Sequence, residues 1–150
     1  MIAAPKTPVI LMAEDDSDDR LLAREALEEA GLTADLRFVE NGAELMDYLH
    51  HRNRFREPGS SPRPNLILLD LNMPKKDGRE ALREIKADAE LKRIPVVVFT
   101  TSGADSDIAR VYELGGNSFI SKPTAFDALV KVMKTIGQYW FEVVVLPAKG

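Results

Sequence analysis

The sequence contains no cysteine, and its only two histidines are adjacent, at His50 and His51. The missing cysteines exclude a disulfide framework, a thiolate metal site and a cysteine nucleophile. Two neighbouring histidines also leave almost no basis for a multi-histidine zinc site. A metal bound by this chain would therefore have to be held by oxygen atoms.

The chain also lacks a long apolar run and an excess of basic residues. No segment approaches the roughly 18 apolar residues of a membrane span, and the start MIAAPKTP has no signal-peptide core. Twenty Lys and Arg stand against 24 Asp and Glu, which is not the balance of a nucleic-acid-binding domain. We expect a single cytoplasmic domain that binds neither membrane nor nucleic acid.

Short apolar runs alternate with amphipathic stretches along the chain, which predicts a parallel sheet covered by helices on both faces. The first amphipathic stretch places Leu22, Ala26 and Ala30 at helical spacing, beside Ala23 and Leu27, before a stop at Gly31. Strands are predicted at 9–13, 36–39, 66–70, 96–100 and 118–121, and the later helices from Asn41 to about His50, over 78–88 and 105–114, and from Phe126 to Trp140.

One stretch, residues 52–65, interrupts this alternation with three prolines, one glycine and four arginines. Such a composition is typical of an exposed loop between a helix and a strand. Its arginines are interpreted as a solvated surface, with an anion-binding or partner-binding patch as the alternative.

Acidic residues follow the first predicted strand and end the third. Five acids lie within residues 14–19, and Asp70 closes an otherwise apolar strand. In a flavodoxin-like, doubly wound five-stranded sheet of order 2-1-3-4-5, ligands bind at the carboxyl strand ends next to the first and third strands, which would group Glu14, Asp15 and Asp70. Two such charges ~4 Å apart repel by roughly 4 kcal/mol at an effective dielectric of ~20, so the group needs a cation or must shift its pKa values. Oxygen ligands favour Mg²⁺, although the acid run alone would also suit a helix N-terminus.

The two remaining strand ends carry a hydroxyl and an ammonium group. The fourth strand ends at Thr100, and the fifth is followed by Lys122. A carboxylate nucleophile, metal-binding acids, a hydroxyl and a cation together suit phosphoryl transfer to a carboxylate.

These residues stand in the motifs VILMAEDD, LLDLNMPKKDG, VVVFTTS and FISKP. With them the chain resembles the receiver domain of two-component response regulators over about residues 8 to 140. Asp70 and Thr100 lie 30 positions apart, and Thr100 and Lys122 lie 22 apart, as is usual in that family. The resemblance implies a phosphoacceptor switch with slow self-catalysed phosphoryl transfer and dephosphorylation, not an enzyme in the usual sense.

The resemblance also implies roles for single residues. Asp70 would accept a phosphoryl group from a phosphohistidine on a sensor histidine kinase. Mg²⁺ would be bound by Asp15, by Asp70 and by the main-chain carbonyl of Asn72, while Glu14 would hold a metal-bound water.

Three further positions carry implied roles in the switch. Thr100 would hydrogen-bond the phosphoryl group, Lys122 would pair with it, and Phe119 would be the aromatic switch residue. The family has a cis peptide bond at the position of Lys122-Pro123.

The long loop before the third strand and the apolar segment FEVVVLP resemble small stand-alone regulators that partner phytochrome-type sensor kinases. We therefore expect a receiver domain over 1–140, an apolar tail over 141–150 and no separate output domain. Signalling would then occur by protein–protein contacts. The tail with the fifth helix predicts a homodimer, and a tail folded back on its own domain is the alternative.

Other function classes fit the residues less well. A metal-dependent aspartyl-phosphate phosphohydrolase needs a second Asp two positions after its nucleophile, where this chain has Asn72. A flavin-binding protein needs a phosphate-cradling loop, and EDDSDD is acidic and free of glycine. A constitutive pseudo-receiver that only binds partners remains open. A phosphohistidine relay through His50 and His51 is disfavoured, because the pair is placed at the surface end of a helix.

Overall fold

The computed structural model describes residues 7–57, 59–101 and 103–147, which form five strands and five α-helices in alternation. The strands are β1 Val9–Ala13, β2 Asp35–Val39, β3 Leu66–Leu69, β4 Val96–Thr100 and β5 Ser118–Ser121. The helices are α1 Ser17–Glu29, α2 Gly42–Leu49, α3 Gly78–Ala87, α4 Asp105–Glu113 and α5 Phe126–Gln138. These bounds confirm the predicted elements, although β3 ends one residue before Asp70.

All pairings in the sheet are parallel, in the order β2-β1-β3-β4-β5. The predicted flavodoxin-like fold is therefore confirmed. Ala13, the last residue of β1, is in register with Val39 of β2 and Leu69 of β3. The loops that follow β1 and β3 consequently leave the sheet side by side at its carboxyl edge.

Alternation along the buried strands supplies two separate apolar cores. In β1, Leu11 belongs to the core under α2, α3 and α4, whereas Ile10 and Met12 belong to the core under α1 and α5. Both faces of the sheet are thus covered, which explains why β1, β3 and β4 are continuous apolar runs.

Helix α1 presents a narrower apolar face than the sequence predicts. Ala23, Ala26 and Leu27 are buried, but Leu22 is 41% exposed. The inclusion of Leu22 in the packed stripe was therefore wrong. The small residues Ala23 and Ala26 already fill the contact, and Leu22 lies at its rim near the carboxyl edge of the sheet.

The segment 52–65 connects α2 to β3 as predicted, but it is not simply solvated. It contains a 3₁₀ turn over Asn53–Phe55, and both Phe55 and Ser61 are buried. The Tyr48 hydroxyl donates to the Pro62 carbonyl at 2.7 Å, and the Phe55 ring packs edge-on against Tyr48. The apolar members of this loop anchor it to α2, while its arginines remain at the surface.

The chain continues beyond α5 as a π-helical turn, Tyr139–Val143. Trp140 and Phe141 are half-buried against the core under α1 and α5, whereas Val143 and Val145 are exposed. The tail is thus divided between fold-back and exposure over the residues described, and its last three predicted positions, 148–150, lie outside them. None of the described helices is long and apolar enough to cross a membrane.

Candidate functional site

The carboxyl edge of the sheet brings together side chains from four strand ends. Glu14 and Asp15 follow β1, Asp70 follows β3, Thr100 ends β4 and Lys122 follows β5. Glu14, Asp70 and Thr100 are buried, although each is polar or charged. Buried polar groups persist only where they are hydrogen-bonded or paired, so this cluster must satisfy itself or a ligand.

The loop between β1 and α1 is fixed by backbone contacts. The Glu14 amide donates to the Val39 carbonyl at 2.9 Å, which continues the β1–β2 pairing one residue beyond the strand. The Glu14 carbonyl accepts from the Arg20 guanidinium at 2.8 Å. Arg20 thereby holds the acid loop from the first turn of α1, a contact that could not be predicted from the sequence because nothing in the spacing singles out this arginine.

The five acids of this loop do different work. Asp16 is the N-cap of α1, and its carboxylate accepts from the amides of Asp18 and Asp19. Asp18 is exposed in the first turn, where an acid favours the helix dipole. The helix-terminus interpretation is therefore correct for Asp16 and Asp18, while Glu14 and Asp15 lie at the strand edge.

The Asp70 carboxylate accepts hydrogen bonds from three donors. Its Oδ1 accepts from the Thr100 hydroxyl at 2.8 Å and from the Asn72 amide at 3.2 Å. Its Oδ2 accepts from the Lys122 ammonium at 3.2 Å. Asp70, Thr100 and Lys122 thus meet as predicted from the sequence, and both Asp70 carboxylate oxygens are oriented by hydrogen-bond donors.

Lys122 is shared among three carboxylates. Its ammonium contacts Glu14, Asp70 and Asp19, the last at 3.4 Å. Burial acts to lower the pKa of Lys122, but the contacts with Glu14 and Asp70 together outweigh burial and raise the pKa. The side chain therefore remains a cation inside the site.

Burial raises the pKa of Glu14 to about 7, against an ordinary value of 4.5. The Lys122 ammonium opposes this shift, and the Asp70 carboxylate adds to it. The effect of burial on the Glu14 pKa exceeds that of Lys122 because Glu14 is only 1% exposed. The Lys122 ammonium is also shared with two other carboxylates, Asp70 and Asp19. A group with this pKa exchanges its proton near neutral pH.

The acids of the cluster fit a divalent cation. Glu14, Asp15 and Asp70 each offer one carboxylate oxygen, and these oxygens lie within 4.8 Å of one another. Hard oxygen donors of this kind suit Mg²⁺ or Mn²⁺, and one exposed member, Asp15, leaves the group open to solvent. The donor set therefore fits the predicted metal in chemistry and in arrangement.

Four further positions singled out in the sequence have the following places in the structure. Phe119 is half-buried on β5 and packs against the core under α2, α3 and α4. His51 lies in the turn after α2, where its Nδ1 is 2.7 Å from the Ser61 hydroxyl, in a contact that fixes the loop. The expected cis bond before Pro123 is wrong, since no peptide bond among the residues described is cis. Ser102 of the VVVFTTS motif lies outside the described residues.

Fold and site together define a parallel α/β domain with a carboxylate acceptor, a hydroxyl and an ammonium at one sheet edge. Residues 10–134 match the family model of the response regulator receiver domain. The chain therefore belongs to the response regulator receiver family.

Individual relatives cover almost the whole chain. It is 44% identical to response regulator Rcp1 of Synechocystis sp. over an alignment of 140 residues, and this alignment covers 93% of each chain. The crystal structure of the phosphorylated cyanobacterial phytochrome response regulator RcpA superposes with a TM-score of 0.87 at 40% identity, covering 95% of this chain and all of RcpA. The Mn²⁺-bound form of Rcp1 superposes with a TM-score of 0.84 at 44% identity, covering 94% and 99% of the two chains. These similarities confirm the predicted resemblance to phytochrome-linked regulators.

We expect Mg²⁺ to stabilise this protein in a pH-dependent manner. At 100 times its dissociation constant, the metal adds about 2.7 kcal/mol to the free energy of unfolding. An ionised Glu14 adds negative charge beside the metal ligands, and its pKa is about 7, so we expect Mg²⁺ affinity to be weaker at pH 6 than at pH 8, by up to about tenfold. Calorimetric titration with Mg²⁺ at both pH values measures the difference.

Without metal, Glu14 should make the free energy of unfolding decrease as pH rises, which is opposite to the pH trend of Mg²⁺ affinity. The raised pKa of Glu14 means that its contribution to stability is fully present below pH 4.5 and is lost as pH rises through about 7. Glu14→Gln is the matched control for this pH dependence, because glutamine retains the shape of the side chain and cannot ionise. Equal wild-type Mg²⁺ affinity at pH 6 and pH 8 would contradict the assignment.

Proposed function

We propose that the chain is a cytoplasmic single-domain regulator in which Asp70 accepts a phosphoryl group from a phosphohistidine of a sensor histidine kinase. The observation that carries this proposal is the environment of Asp70. Its two oxygens are held by Thr100 and Lys122, and carboxylate oxygens of Glu14 and Asp15 lie within 4.8 Å of an Asp70 oxygen. Such an arrangement positions a nucleophile and neutralises charge, which is most of what phosphoryl transfer requires.

In the proposed reaction a carboxylate oxygen of Asp70 attacks phosphorus. The P–O bond forms while the P–N bond to the donor imidazole breaks, and the electron pair returns to that imidazole nitrogen. Asp15, Asp70 and the Asn72 carbonyl would hold Mg²⁺, and Glu14 would hold a metal-bound water. When bound, the metal neutralises charge on the phosphoryl oxygens.

Lys122 and Thr100 then have defined tasks in the acceptor. The Lys122 ammonium, already 3.2 Å from Asp70, pairs with a phosphoryl oxygen in the product. The Thr100 hydroxyl turns its hydrogen bond from the carboxylate to the phosphoryl group. Because that hydroxyl must follow the larger group, the end of β4 changes position on phosphorylation.

Treatment with acetyl phosphate tests this proposal directly. With Mg²⁺, the intact mass should increase by one phosphoryl group, and peptide mapping should place an acyl phosphate on Asp70. With EDTA the increase should be lost. A constitutive pseudo-receiver would not label, and a phosphohydrolase would instead release phosphate from simple phosphomonoesters over many turnovers, for which Asn72 supplies no general acid.

Thr100→Ala should separate phosphoryl uptake from signalling. The variant retains Asp70 and the metal-binding acids, so it should label, but it lacks the hydroxyl that moves Phe119 and the neighbouring surface. Hydrogen exchange over residues 105–135 should change on phosphorylation in the wild type and remain unchanged in the variant. Thr100→Ser retains the hydroxyl and should respond as the wild type does, whereas a full response from Thr100→Ala would rule out this coupling route.

The partner that we propose is a phytochrome-type sensor kinase. This proposal is supported by the similarity to RcpA, described as a phytochrome response regulator, over 95% of this chain. Phosphotransfer from a phytochrome histidine kinase should be faster than transfer from a histidine kinase without a photoreceptor. Equal rates from both donors would contradict a phytochrome partner.

We also propose a homodimer that uses α5 and the apolar tail over 141–150, next to a receiver domain over 1–140. Val143 and Val145 support it, since they are 69% and 97% exposed and lie in the apolar run 143–146. Truncation after Gln138 would also remove the Trp140 and Phe141 contacts to the core, so point variants are the sharper test.

Val143→Asp with Val145→Asp should convert the dimer to a folded monomer, measured by sedimentation at high micromolar concentration. The exposed Glu142→Gln is the control within the same turn and should leave the dimer intact. A wild-type chain that is monomeric with and without phosphorylation would leave the fold-back cap as the role of the tail.

A further inference from the structure

Lys122 has one carboxylate partner that does not belong to the metal-binding cluster. Glu14 and Asp70 are members of that cluster, whereas Asp19 is the third residue of α1. The Asp19 Oδ2 lies 3.4 Å from the Lys122 Nζ, and the side chain is partly open to solvent. Asp19 is one of the five acids within residues 14–19, and no role for it is predicted from the sequence.

The position of Lys122 creates a competition for the cluster. Its ammonium contacts Glu14 and Asp70, two of the three acids whose oxygens would hold a divalent cation. A cation of higher charge that takes these oxygens repels the ammonium and must displace it. Among the described residues, Asp19 is the acid to which the ammonium can then turn without leaving the site.

Resting on the proposed function, we propose that Asp19 is a positioning residue for Lys122. It draws the ammonium toward α1, which frees Glu14 and Asp70 for the metal and keeps the ammonium beside the phosphoacceptor. The contact that Asp19 already makes with Lys122 is the ground for this role.

The neighbouring Asp18 provides a matched control. Both acids lie in the first turn of α1, so each contributes similarly to the helix dipole and to the negative charge of the loop. Asp18 is exposed, and its side chain has no contact with Lys122. A difference between Asp18→Asn and Asp19→Asn therefore isolates the contact with the ammonium.

The first experiment measures Mg²⁺ affinity of the full chain by calorimetry. Asp19→Asn should weaken binding about fivefold, as expected for loss of one partly exposed ion pair, and Asp18→Asn less than twofold. The Mg²⁺ concentration for half-maximal labelling by acetyl phosphate should rise by the same factor. Asp19→Glu, which restores the carboxylate, should recover most of the affinity.

A double-mutant cycle shows whether the effect passes through Lys122. In a Lys122→Met background, Asp19→Asn should weaken Mg²⁺ binding no more than Asp18→Asn does, because no ammonium remains to be held. Circular dichroism and thermal melting of every variant establish that the fold is retained. If Lys122→Met does not fold, Lys122→Gln serves in its place.

The outcomes separate this inference from the proposed function. If the wild type neither binds Mg²⁺ nor labels, the proposed function fails. If the wild type does both while Asp19→Asn equals Asp18→Asn, only the role of Asp19 is overturned. An excess effect of Asp19→Asn that persists without Lys122 would also overturn it.

Discussion

Asp70→Asn should abolish phosphoryl uptake from acetyl phosphate, so that the intact mass of the variant stays constant while the wild type gains one phosphoryl group. The amide is close in size to the carboxylate, but it lacks the negative oxygen that attacks phosphorus. The Thr100 hydroxyl can still donate to its oxygen, so the fold should be retained. Mass spectrometry after incubation with Mg²⁺ measures the loss.

An acid in the first turn of α1 provides a control for this result. Asp18→Asn removes an exposed carboxylate of the same edge and should label as the wild type does. If Asp70→Asn still labelled to one phosphoryl group per chain, the acceptor would have to be another acid, and Asp16 and Asp18 would be mapped next. Labelling of the wild type under the same conditions keeps the comparison interpretable.

Gly78→Ala should destabilise the protein by about 3 kcal/mol or more, because the added methyl group has no space. A Cβ at Gly78 would lie 2.2 Å from the Asp70 carbonyl oxygen and 2.7 Å from the Leu71 Cα. Both neighbours are backbone atoms, and the Gly78 amide is itself bound to the Leu71 carbonyl at 2.9 Å. The start of α3 must therefore move away from the phosphoacceptor, which urea unfolding and labelling rate both report.

Gly103→Ala is the corresponding control near the same edge. Its nearest neighbour would be the Ser121 hydroxyl oxygen, at an ordinary contact distance of 3.8 Å. We expect its stability to change by no more than about 0.5 kcal/mol. Equal stability of the two variants would show that α3 adjusts more readily than the close approach at Gly78 indicates.

The sheet could be predicted from the sequence because its central strands are buried on both faces. A run such as VILMA, bounded by an acid loop, has few alternatives in an α/β chain, and β1 has the predicted bounds. Strand order then placed Glu14, Asp15 and Asp70 together without any knowledge of side-chain contacts. The proposed acceptor site could thus be predicted from the sequence, because its location follows from the strand order.

Features that depend on packing between distant segments could not be predicted in this way. The exposure of Leu22 and the burial of Phe55 depend on which side chains from other elements pack beside them, and sequence spacing does not identify those neighbours. The contact between Asp19 and Lys122 joins residues 103 positions apart. The division of the tail into half-buried aromatics and exposed valines has the same origin.

The placement of Lys122 on the last strand of the sheet has a consequence for synthesis of the chain. Glu14 and Asp70 are made first, but the lysine that contacts both follows Asp70 by 52 residues. A nascent chain that ends before β5 therefore has both of these acids but lacks the ammonium that pairs with them in the folded domain. On the proposed function, the acceptor site is therefore complete only after synthesis has passed Lys122.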